Sequence, residues 1–182
     1  VAGVDEAGRG ALAGPVVAAA VVLPPHTNIP RLRDSKKVPE AEREKLFEEI
    51  LRVAVAWQTG IIGHDVIDSI NILEATMQAM RVAIDGVNAY AHHVFIDGNR
   101  YTGGGVEAFT TVVGGDATML SISAASIIAK VTRDRKMREF ATKYTDYGFE
   151  KHKGYGTAMH YEVLGRIGPC AIHRKTFLKK LQ

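Results

Sequence analysis

The sequence has almost no cysteine and no long hydrophobic run, and each absence excludes a class of protein. One cysteine among 182 residues, Cys170, allows neither an internal disulfide nor a cysteine-based metal site, which is typical of a reducing compartment. The longest apolar run, residues 16–23, ends at Pro24-Pro25 and is far shorter than the roughly 18 to 20 residues that cross a bilayer. These absences predict a soluble cytoplasmic protein without a membrane segment.

The sequence also lacks repeats, low-complexity tracts and an obvious linker. With 182 residues and 46% apolar composition, residues 1–182 are expected to form a single domain, because the chain is too short for two full-sized ones. Its first residue is Val1, without a methionine or a charged leader, which favours a trimmed sequence and gives no sign of a secretion signal. Nothing in the sequence demands a dimer, so we expect a monomer.

Charge is distributed unevenly along the chain. Net charge is only +3, but residues 1–129 carry 10 Lys and Arg against 15 Asp and Glu, whereas residues 130–182 carry 13 against 5. A basic C-terminal third beside an acidic remainder is typical of a surface that binds a polyanion next to a site rich in carboxylates. A basic surface that only keeps the protein soluble explains the same numbers equally well.

Hydrophobic periodicity predicts an α/β domain with a mixed sheet, in the order β-β-α-β-α-β-β-α. The expected strands are 1–7, 15–23, 53–62, 93–98 and 110–116. The expected helices are 39–51, after Pro39; 71–84, where Asn71 and Glu74 resemble a capping box; and 123–143. Residues 148–156 are glycine-rich and predict a loop, followed by two shorter helices.

Acidic residues follow three of the predicted strands. Asp5 and Glu6 end the first, Asp97 ends the fourth, and Asp116 ends the fifth. If these ends meet, each pair of charges 4 Å apart repels by roughly 4 kcal/mol at an effective dielectric constant of about 20, so the cluster needs protons or cations. Oxygen ligands without cysteine or a His-x-x-x-His pattern favour Mg²⁺ or Mn²⁺ over Zn²⁺. Any one of these acids could instead be a turn residue or a helix cap.

The stretch GVDEAGRGALAG, residues 3–14, also fits the G-x-G-x-x-A pattern of a dinucleotide-binding turn. That function needs a helix to begin at the glycines, so that its N-terminus can hold a pyrophosphate. Pro15 and the valine-rich run after it predict a strand instead, and Asp5 and Glu6 would repel phosphates. The carboxylate interpretation is therefore preferred.

Seven segments, in order and across nearly the whole chain, resemble the bacterial ribonuclease HII family, the type 2 ribonucleases H. They are GVDEAGRGALAGPVVAAAVVL (3–23), DSKK (34–37), FIDGN (95–99), GGDA (114–117), SISAASIIAKVTRD (121–134), HKGYGT (152–157) and HRKTF (173–177). The resemblance implies the ribonuclease H-like fold, a central five-stranded mixed sheet flanked by helices, with a small C-terminal helical part. Within the single domain, residues 148–182 would contribute to substrate binding.

The resemblance implies a metal-dependent endoribonuclease whose partner is nucleic acid. The family's four catalytic and metal-binding acids correspond to Asp5, Glu6, Asp97 and Asp116. The expected reaction hydrolyses the phosphodiester on the 5′ side of a ribonucleotide, in an RNA/DNA hybrid or embedded singly in duplex DNA, and leaves a 5′-phosphate and a 3′-hydroxyl. Two divalent ions, Mg²⁺ or Mn²⁺, would suit this chemistry, and no protein nucleophile is needed.

Substrate contacts are expected elsewhere, because only the 2′-hydroxyl distinguishes a ribose from a deoxyribose. The resemblance assigns sugar selection to the turn Gly8, Arg9 and Gly10 and to Tyr155, which without the resemblance would be an aromatic plug in a loop. The remaining expected phosphate contacts are Ser35, Lys36 and Lys37 in one loop, and Ser123, Ser126 and Lys130 on the long helix. The two lysines of the loop could equally be a solvated surface.

Asp134 follows Lys130 at helical spacing and leaves two interpretations open. The two residues could form an ordinary surface ion pair, worth well under 1 kcal/mol, or Asp134 could lie near the second metal ion. His173 belongs to a matching segment but is expected to have no catalytic role.

Two other functions fit parts of the pattern. Another metal-dependent enzyme on the same fold, such as a type 1 ribonuclease H or a structure-selective nuclease, would share the acids but differ in its substrate. A catalytically silent duplex-binding module would share the basic surface, but the presence of all four acids counts against it.

Overall fold

Five strands form one mixed sheet at the centre of the computed structural model, which describes residues 1–32 and 38–179. The strands are β1 (Ala2–Ala7), β2 (Val16–Val22), β3 (Ala56–Ile62), β4 (Val94–Asp97) and β5 (Phe109–Val112), and their spatial order is β3-β2-β1-β4-β5. Strand β2 runs antiparallel to β1 and β3, while β4 and β5 run parallel to β1. The parallel strands β1, β4 and β5 therefore end at the same edge of the sheet.

Helices cover both faces of this sheet. They are α1 (Glu40–Val53), α2 (His64–Ile70), α3 (Ile72–Val87), α4 (Gly115–Thr118), α5 (Leu120–Lys143), α6 (Phe149–His152), α7 (Ala158–Ile167) and α8 (Lys175–Leu178). Asn71 caps α3 by accepting a hydrogen bond from the backbone N–H of Glu74 at 3.0 Å, which is one half of the expected capping box.

Alternate residues of β1 and β2 supply two separate hydrophobic cores. Val4 and Ala18 belong to the core beneath α3, whereas Val17 and Ala19 belong to the core beneath α1 and α5. Every residue of β2 is buried, as expected for a strand covered on both faces.

A third cluster joins the C-terminal segments to the end of α5. It contains Ala13, Met137, Tyr147, Phe149 and Ile172, and the rings of Tyr147 and Phe149 stack at 5.4 Å. Because Ala13 lies in the turn between β1 and β2, this cluster brings the C-terminal part of the chain against that turn.

The expected mixed sheet flanked by helices is confirmed, but four local predictions were wrong. The predicted loop 148–156 contains the short helix α6, Phe149–His152. Helix α2 was not expected, because its seven residues are too few to show a helical period. The third strand begins at Ala56 rather than residue 53, since α1 continues to Val53. Strand β5 ends at Val112, so Asp116 lies in the short helix α4 and not at a strand tip.

None of the helices within the described ranges combines the length and the hydrophobicity that crossing a membrane requires. The expected phosphate contacts Ser35, Lys36 and Lys37 lie outside the described residues.

Candidate active site

Asp5 and Asp97 lie side by side at the shared edge of the parallel strands. The register pairs Val4 of β1 with Ile96 of β4, so Asp5 and Asp97 follow one residue later on adjacent strands. Neighbouring strands are about 4.8 Å apart and equivalent residues point to the same face, so the two carboxylates share one side of the sheet. This side faces α5, because the side chains of Val4 and Ile96 belong to the opposite core, beneath α3.

The carboxylates of this edge disfavour one another's ionisation. Burial, followed by the charges of Glu6 and Asp97, raises the pKa of Asp5 from 3.8 to about 8, although a hydrogen bond from Ser126 opposes the shift. The pKa of Glu6 is also raised, mainly by burial and with a contribution from Asp97, while Arg9 opposes the shift through an ion pair at 3.2 Å. Three acids therefore repel one another in a poorly hydrated site that a cation would stabilise.

Replacement of Asp5 by Asn should stabilise the metal-free protein, increasingly so as the pH rises. The pKa of Asp5 is raised in the folded state, so protonated Asp5 contributes favourably to the free energy of unfolding. This contribution is fully present below pH 3.8 and is lost as the pH rises towards about 8. Each pH unit in this window corresponds to at most about 1.4 kcal/mol, so the difference should reach a few kcal/mol at pH 8. Asparagine keeps the Oδ1 atom that accepts the Glu6 N–H at 2.7 Å.

Denaturant unfolding of both proteins in EDTA at pH 5, 6.5 and 8 measures this difference. Asp85→Asn is the matched control, since the Asp85 side chain is 54% exposed and lies on α3. Equal unfolding free energies for the parent and Asp5→Asn at all three pH values would contradict the prediction.

Asp116 lies on the short helix α4 rather than on a strand, and is buried. The N–H of the preceding residue, Gly115, donates to Oδ1 of Asp97 at 2.7 Å, which joins the start of α4 to the end of β4. Ser123 Oγ lies 2.5 Å from the Asp116 carbonyl oxygen and 3.0 Å from that of Met119. Ser123 is fully buried, so its expected phosphate contact is replaced by a different role: it fixes the backbone that carries Asp116.

The residues present suit a hard divalent cation, although they do not form a closed cage. Their side chains offer only carboxylate oxygens, and burial together with their mutual repulsion raises the pKa values of Asp5 and Glu6. Among residues 1–32 and 38–179, no three Asp, Glu, His or Cys side chains form a ready coordination group. A cation at this edge would therefore keep part of its water shell, as Mg²⁺ commonly does in proteins.

The turn after β1 is held from inside by two buried arginines. Arg174 donates to the carbonyl oxygens of Gly8, Arg9 and Gly14 at 2.7, 3.0 and 3.0 Å. Arg133 of α5 donates to those of Ala13, Pro15 and Lys153 at 3.0, 2.9 and 2.9 Å. The three parts of the chain that meet here are thus fixed by hydrogen bonds to charged donors, which are stronger than those between neutral groups.

Gly8 is required where these groups meet. Its φ is +97°, and a Cβ at this position would lie 2.1 Å from Arg133 Nε and 2.8 Å from the Pro15 carbonyl oxygen. At Gly10, by contrast, a Cβ would meet nothing within 4 Å. The turn is therefore tightly packed beneath Gly8 and open above Gly10.

Tyr155 lies beside this turn, between two cations. Its ring centroid is 5.0 Å from Arg133 Cζ and 5.4 Å from Lys130 Nζ, both within range of a cation–π interaction. Glu6, Gly8, Ser126, Lys130 and Tyr155 all line one cleft of about 280 Å³. Of the expected substrate contacts, the structure thus brings Gly8, Ser126, Lys130 and Tyr155 to one open space that Glu6 also lines.

Buried histidines hold the backbone of Tyr155. His160 Nδ1 lies 2.9 Å from the Tyr155 carbonyl oxygen, which only accepts, so this nitrogen carries a proton. His160 Nε2 is 3.0 Å from His173 Nε2, so one ring must be the donor and the other the acceptor. Burial lowers the pKa of both histidines. The pKa of His173 falls to about 4, with His160 contributing, so both rings are neutral at pH 7. His173 therefore has a structural position, behind the loop.

Asp134 lies in the same cleft region but away from Asp5. Its Oδ1 accepts from Lys130 at 2.8 Å, and its Oδ2 is 3.9 Å from Arg43. Helix α5 runs alongside the end of β1, because Ser126 hydrogen-bonds Asp5 and the Arg133 side chain packs against Gly8. Asp134 is thus eight residues, about 12 Å, beyond Ser126 along the helix axis. This geometry favours the ion-pair interpretation over a place near a metal ion.

Three cations of the basic C-terminal third, Arg135, Arg138 and Lys153, form ion pairs with acids of α1. Arg135 and Arg138 each approach Glu44 at 2.6 Å, Arg138 also pairs with Glu40, and Lys153 lies 3.2 Å from Glu40. The charge available to a polyanion is therefore smaller than the sequence count indicates. Exposed cations of the described C-terminal third are Lys143, Lys151, Arg166, Lys175 and Lys179.

Sequence reasoning missed three arginines of this site: Arg43, Arg133 and Arg174. Arg133 and Arg174 stand inside matching segments, but nothing in a linear pattern shows that a charged residue is fully buried. Arg43 follows the loop of residues 34–37 on α1, and only the packing of α1 against α5 brings it to Asp134.

Comparison with known proteins gives one consistent result. The sequence model of the family described as Ribonuclease HII matches residues 2–180. The chain is 51% identical over 177 residues to the "Ribonuclease HII" of Endomicrobium trichonymphae, covering 97% of this chain and 84% of that protein. It is 49% identical to the protein of the same name from Caldanaerobacter subterraneus, covering 100% and 75%.

A solved structure gives the same result for the fold. The crystal structure of the ribonuclease H2 from Pyrococcus horikoshii OT3 superimposes with a TM-score of 0.80 at 30% identity. The match covers 99% of this chain and 95% of that one.

Proposed function

The chain belongs to the ribonuclease HII family of metal-dependent endoribonucleases, which cleave RNA in RNA/DNA hybrids, and on this premise we propose its site, ions and products. The proposed reaction hydrolyses the phosphodiester 5′ of a ribonucleotide, in a hybrid or embedded singly in duplex DNA, and leaves a 5′-phosphate and a 3′-hydroxyl. Two divalent ions, Mg²⁺ or Mn²⁺, are the proposed cofactors, and a monomer is the proposed acting species.

The observation that carries this proposal is the mutual repulsion of Asp5, Glu6 and Asp97 at one sheet edge. Burial and neighbouring charges raise the pKa of Asp5 to about 8, so the site is costly to ionise without a cation. Asp5 and Asp97 are the proposed central ligands, and Glu6 and Asp116 complete the set. When bound, divalent ions supply a more acidic attacking water and neutralise charge on the departing 3′ oxygen.

The chain's own residues orient this set of carboxylates. Gly115 N–H fixes one oxygen of Asp97, and Ser123 fixes the Asp116 carbonyl, which leaves the other oxygen of Asp97 for a ligand. Ser126 hydrogen-bonds Asp5 and also lines the cleft. We place Asp134 outside the metal set, as the partner that orients Lys130 and Arg43.

Sugar selection is proposed for the turn Gly8–Gly10 together with Tyr155, and phosphate contacts for Arg9, Ser126 and Lys130. Arg9 is exposed and pairs with Glu6, so it can turn to a phosphate when Glu6 binds a cation. The expected contacts of Ser35, Lys36 and Lys37 remain part of the proposal.

The direct experiment offers a labelled DNA duplex that contains one ribonucleotide, with Mg²⁺, Mn²⁺ or EDTA, and maps the cut. We expect a single cut 5′ of the ribonucleotide with either ion and none with EDTA. A requirement for several consecutive ribonucleotides would instead point to the substrate choice of a type 1 enzyme. Binding without cleavage under any metal condition would contradict the proposal and favour a silent duplex-binding module.

Replacement of Tyr155 by Ala should reduce the rate of cleavage at a single embedded ribonucleotide. The ring lies between Arg133 and Lys130, and its removal leaves the sugar without an aromatic surface. Stacking of a base on an aromatic side chain contributes about 1–3 kcal/mol, so we expect the rate of cleavage to fall by roughly 10-fold or more. Tyr90→Ala is the matched control, because Tyr90 is 59% exposed and precedes the start of β4, whereas Asp97 lies at the other end of that strand. Equal kcat/KM values for Tyr155→Ala and the parent would reject this role.

A further inference from the structure

Arg174 is fully buried, and its guanidinium donates three hydrogen bonds to backbone carbonyls of one turn while lying 5.1 Å from the centre of the Phe177 ring. Nη2 donates to Gly8, Nη1 to Arg9 and Nε to Gly14, at distances of 2.7 to 3.0 Å. A buried charge is costly unless its hydrogen bonds are satisfied, so this arrangement requires the three carbonyls to point inward. Burial lowers the pKa of Arg174, as expected when a cation loses its hydration, and Arg133 adds to the effect.

The inward carbonyls fix the direction of two N–H groups. The peptides of the described chain are trans, and in a trans peptide the N–H points away from the preceding C=O. Because the carbonyls of Gly8 and Arg9 face Arg174, the N–H groups of Arg9 and Gly10 point away from it. Arg9 and Gly10 are exposed, and a Cβ at Gly10 would meet nothing within 4 Å, so these donors face the protein surface next to Gly8, which lines the cleft.

The segment that carries Arg174 is itself anchored on both sides. Arg174 N–H donates to the Leu12 carbonyl at 2.9 Å, and His173 forms a bridge with Ala13. After it, Asp68 of α2 accepts from the N–H groups of Lys175 and Thr176 at 2.8 and 2.9 Å. The guanidinium therefore starts from a fixed backbone and can set the conformation of the turn.

Arg133 supports the same turn but acts on other atoms. Its contacts are the carbonyls of Ala13, Pro15 and Lys153, and its side chain packs beneath Gly8. Of the two arginines it is Arg174 that donates to the carbonyls of Gly8 and Arg9, whose peptide planes carry the two outward donors, and the Gly8 carbonyl also accepts from the Ala11 N–H at 3.4 Å.

We propose that Arg174 is a positioning residue for sugar selection: it turns the N–H groups of Arg9 and Gly10 towards the 2′-oxygen of the substrate ribose. The inference rests on the proposed function, in which this turn reads the sugar. The 2′-hydroxyl oxygen is an acceptor that deoxyribose lacks, so fixed donors at this place favour the ribonucleotide. A lysine at position 174 would keep the charge but lacks the planar fork that satisfies three carbonyls together.

The test compares Arg174→Lys with Arg81→Lys, a control at an exposed arginine of α3. Both changes are made in the Asp97→Asn background, which keeps the substrate intact under the proposed function. The dissociation constants are measured, with Mg²⁺, for two duplexes of identical sequence, one all-DNA and one with a single ribonucleotide. The sugar selectivity is the dissociation constant for the all-DNA duplex divided by that for the duplex with one ribonucleotide. A loss of folding stability would affect both constants equally and leave this ratio unchanged.

Arg174→Lys should lower this ratio by about three- to tenfold, the value of one or two hydrogen bonds, and leave the all-DNA constant unchanged. Arg81→Lys should keep the parental ratio. An unchanged ratio in Arg174→Lys, or equal weakening of both duplexes, would overturn the inference while the proposed function stands. If the background protein itself shows no preference for the ribonucleotide, the proposed function fails, and the inference fails with it.

A second measurement covers the case in which Arg174→Lys does not fold. Amide NMR spectra of the protein with arginine at position 174, in the same background, are recorded with each of the two duplexes. The Arg9 and Gly10 amide signals should differ between the ribonucleotide and all-DNA complexes. Identical signals for both amides in the two complexes would overturn the inference.

Discussion

Asp97→Asn should abolish most cleavage at saturating Mg²⁺ while the protein remains folded. Under the proposed function Asp97 is a central ligand, and a bound metal ion supplies several kcal/mol of transition-state stabilisation, so its loss should cost roughly 10²- to 10⁴-fold in kcat. Asparagine is nearly isosteric and keeps an oxygen for the Gly115 N–H, so the junction of β4 and α4 should persist. The initial rate on a duplex with one ribonucleotide measures the effect.

A control substitution and a binding measurement test whether the loss of cleavage is specific to Asp97. Asp85→Asn makes the same chemical change at a half-exposed position of α3 and should keep the parental rate. Affinity of Asp97→Asn for the duplex should stay close to the parental value, because phosphate contacts lie elsewhere. Activity of Asp97→Asn within a few-fold of the parent would reject the ligand assignment.

Gly3→Ala should destabilise the fold strongly, because α5 crosses directly over this residue. A Cβ on Gly3 would lie 2.2 Å from the Ser121 carbonyl carbon and 2.3 Å from the Ile122 nitrogen, which are backbone atoms at the start of α5. The helix would have to move from β1, and overpacking of this kind costs roughly 1–3 kcal/mol or more. Thermal and denaturant unfolding measure the change.

Gly165→Ala is the matched comparison for this prediction. A Cβ at Gly165 meets nothing within 4 Å, and alanine favours a helix by up to about 1 kcal/mol over glycine, so this variant should be as stable as the parent or more so. Unfolding free energies of Gly3→Ala and Gly165→Ala that agree within error would mean that α5 does not pack on Gly3 as described.

The acids of the sheet edge were predictable from sequence, because a short apolar run that ends in an acid is a local pattern. Asp5 and Asp97 follow such runs, and their proximity depends only on two adjacent parallel strands. The residues around Asp116 identified it as a candidate, but its predicted position at the end of a strand was wrong. Gly114, with a positive φ, ends the extended segment, and α4 begins at Gly115, before Asp116.

Burial of polar residues was not predictable. Ser123, Ser126 and Lys130 are three and four residues apart and therefore share one face of α5. Their spacing does not predict which part of that face is covered by the protein and which part is exposed to solvent. The structure places Ser123 on the covered side and Lys130 in the cleft. Arg174 illustrates the same limit, because its burial depends on carbonyls that are about 160 positions away in the chain.

The course of α5 beside β1 has a consequence for where the substrate is cut. One helix contacts Asp5 through Ser126 and the turn at Gly8 through Arg133, seven residues and about 10 Å further along its axis. Under the proposed function, this helix therefore fixes the distance between the bond that is hydrolysed and the ribose that the turn selects. Substitutions that weaken either end should slow the reaction, yet the products should keep the same termini.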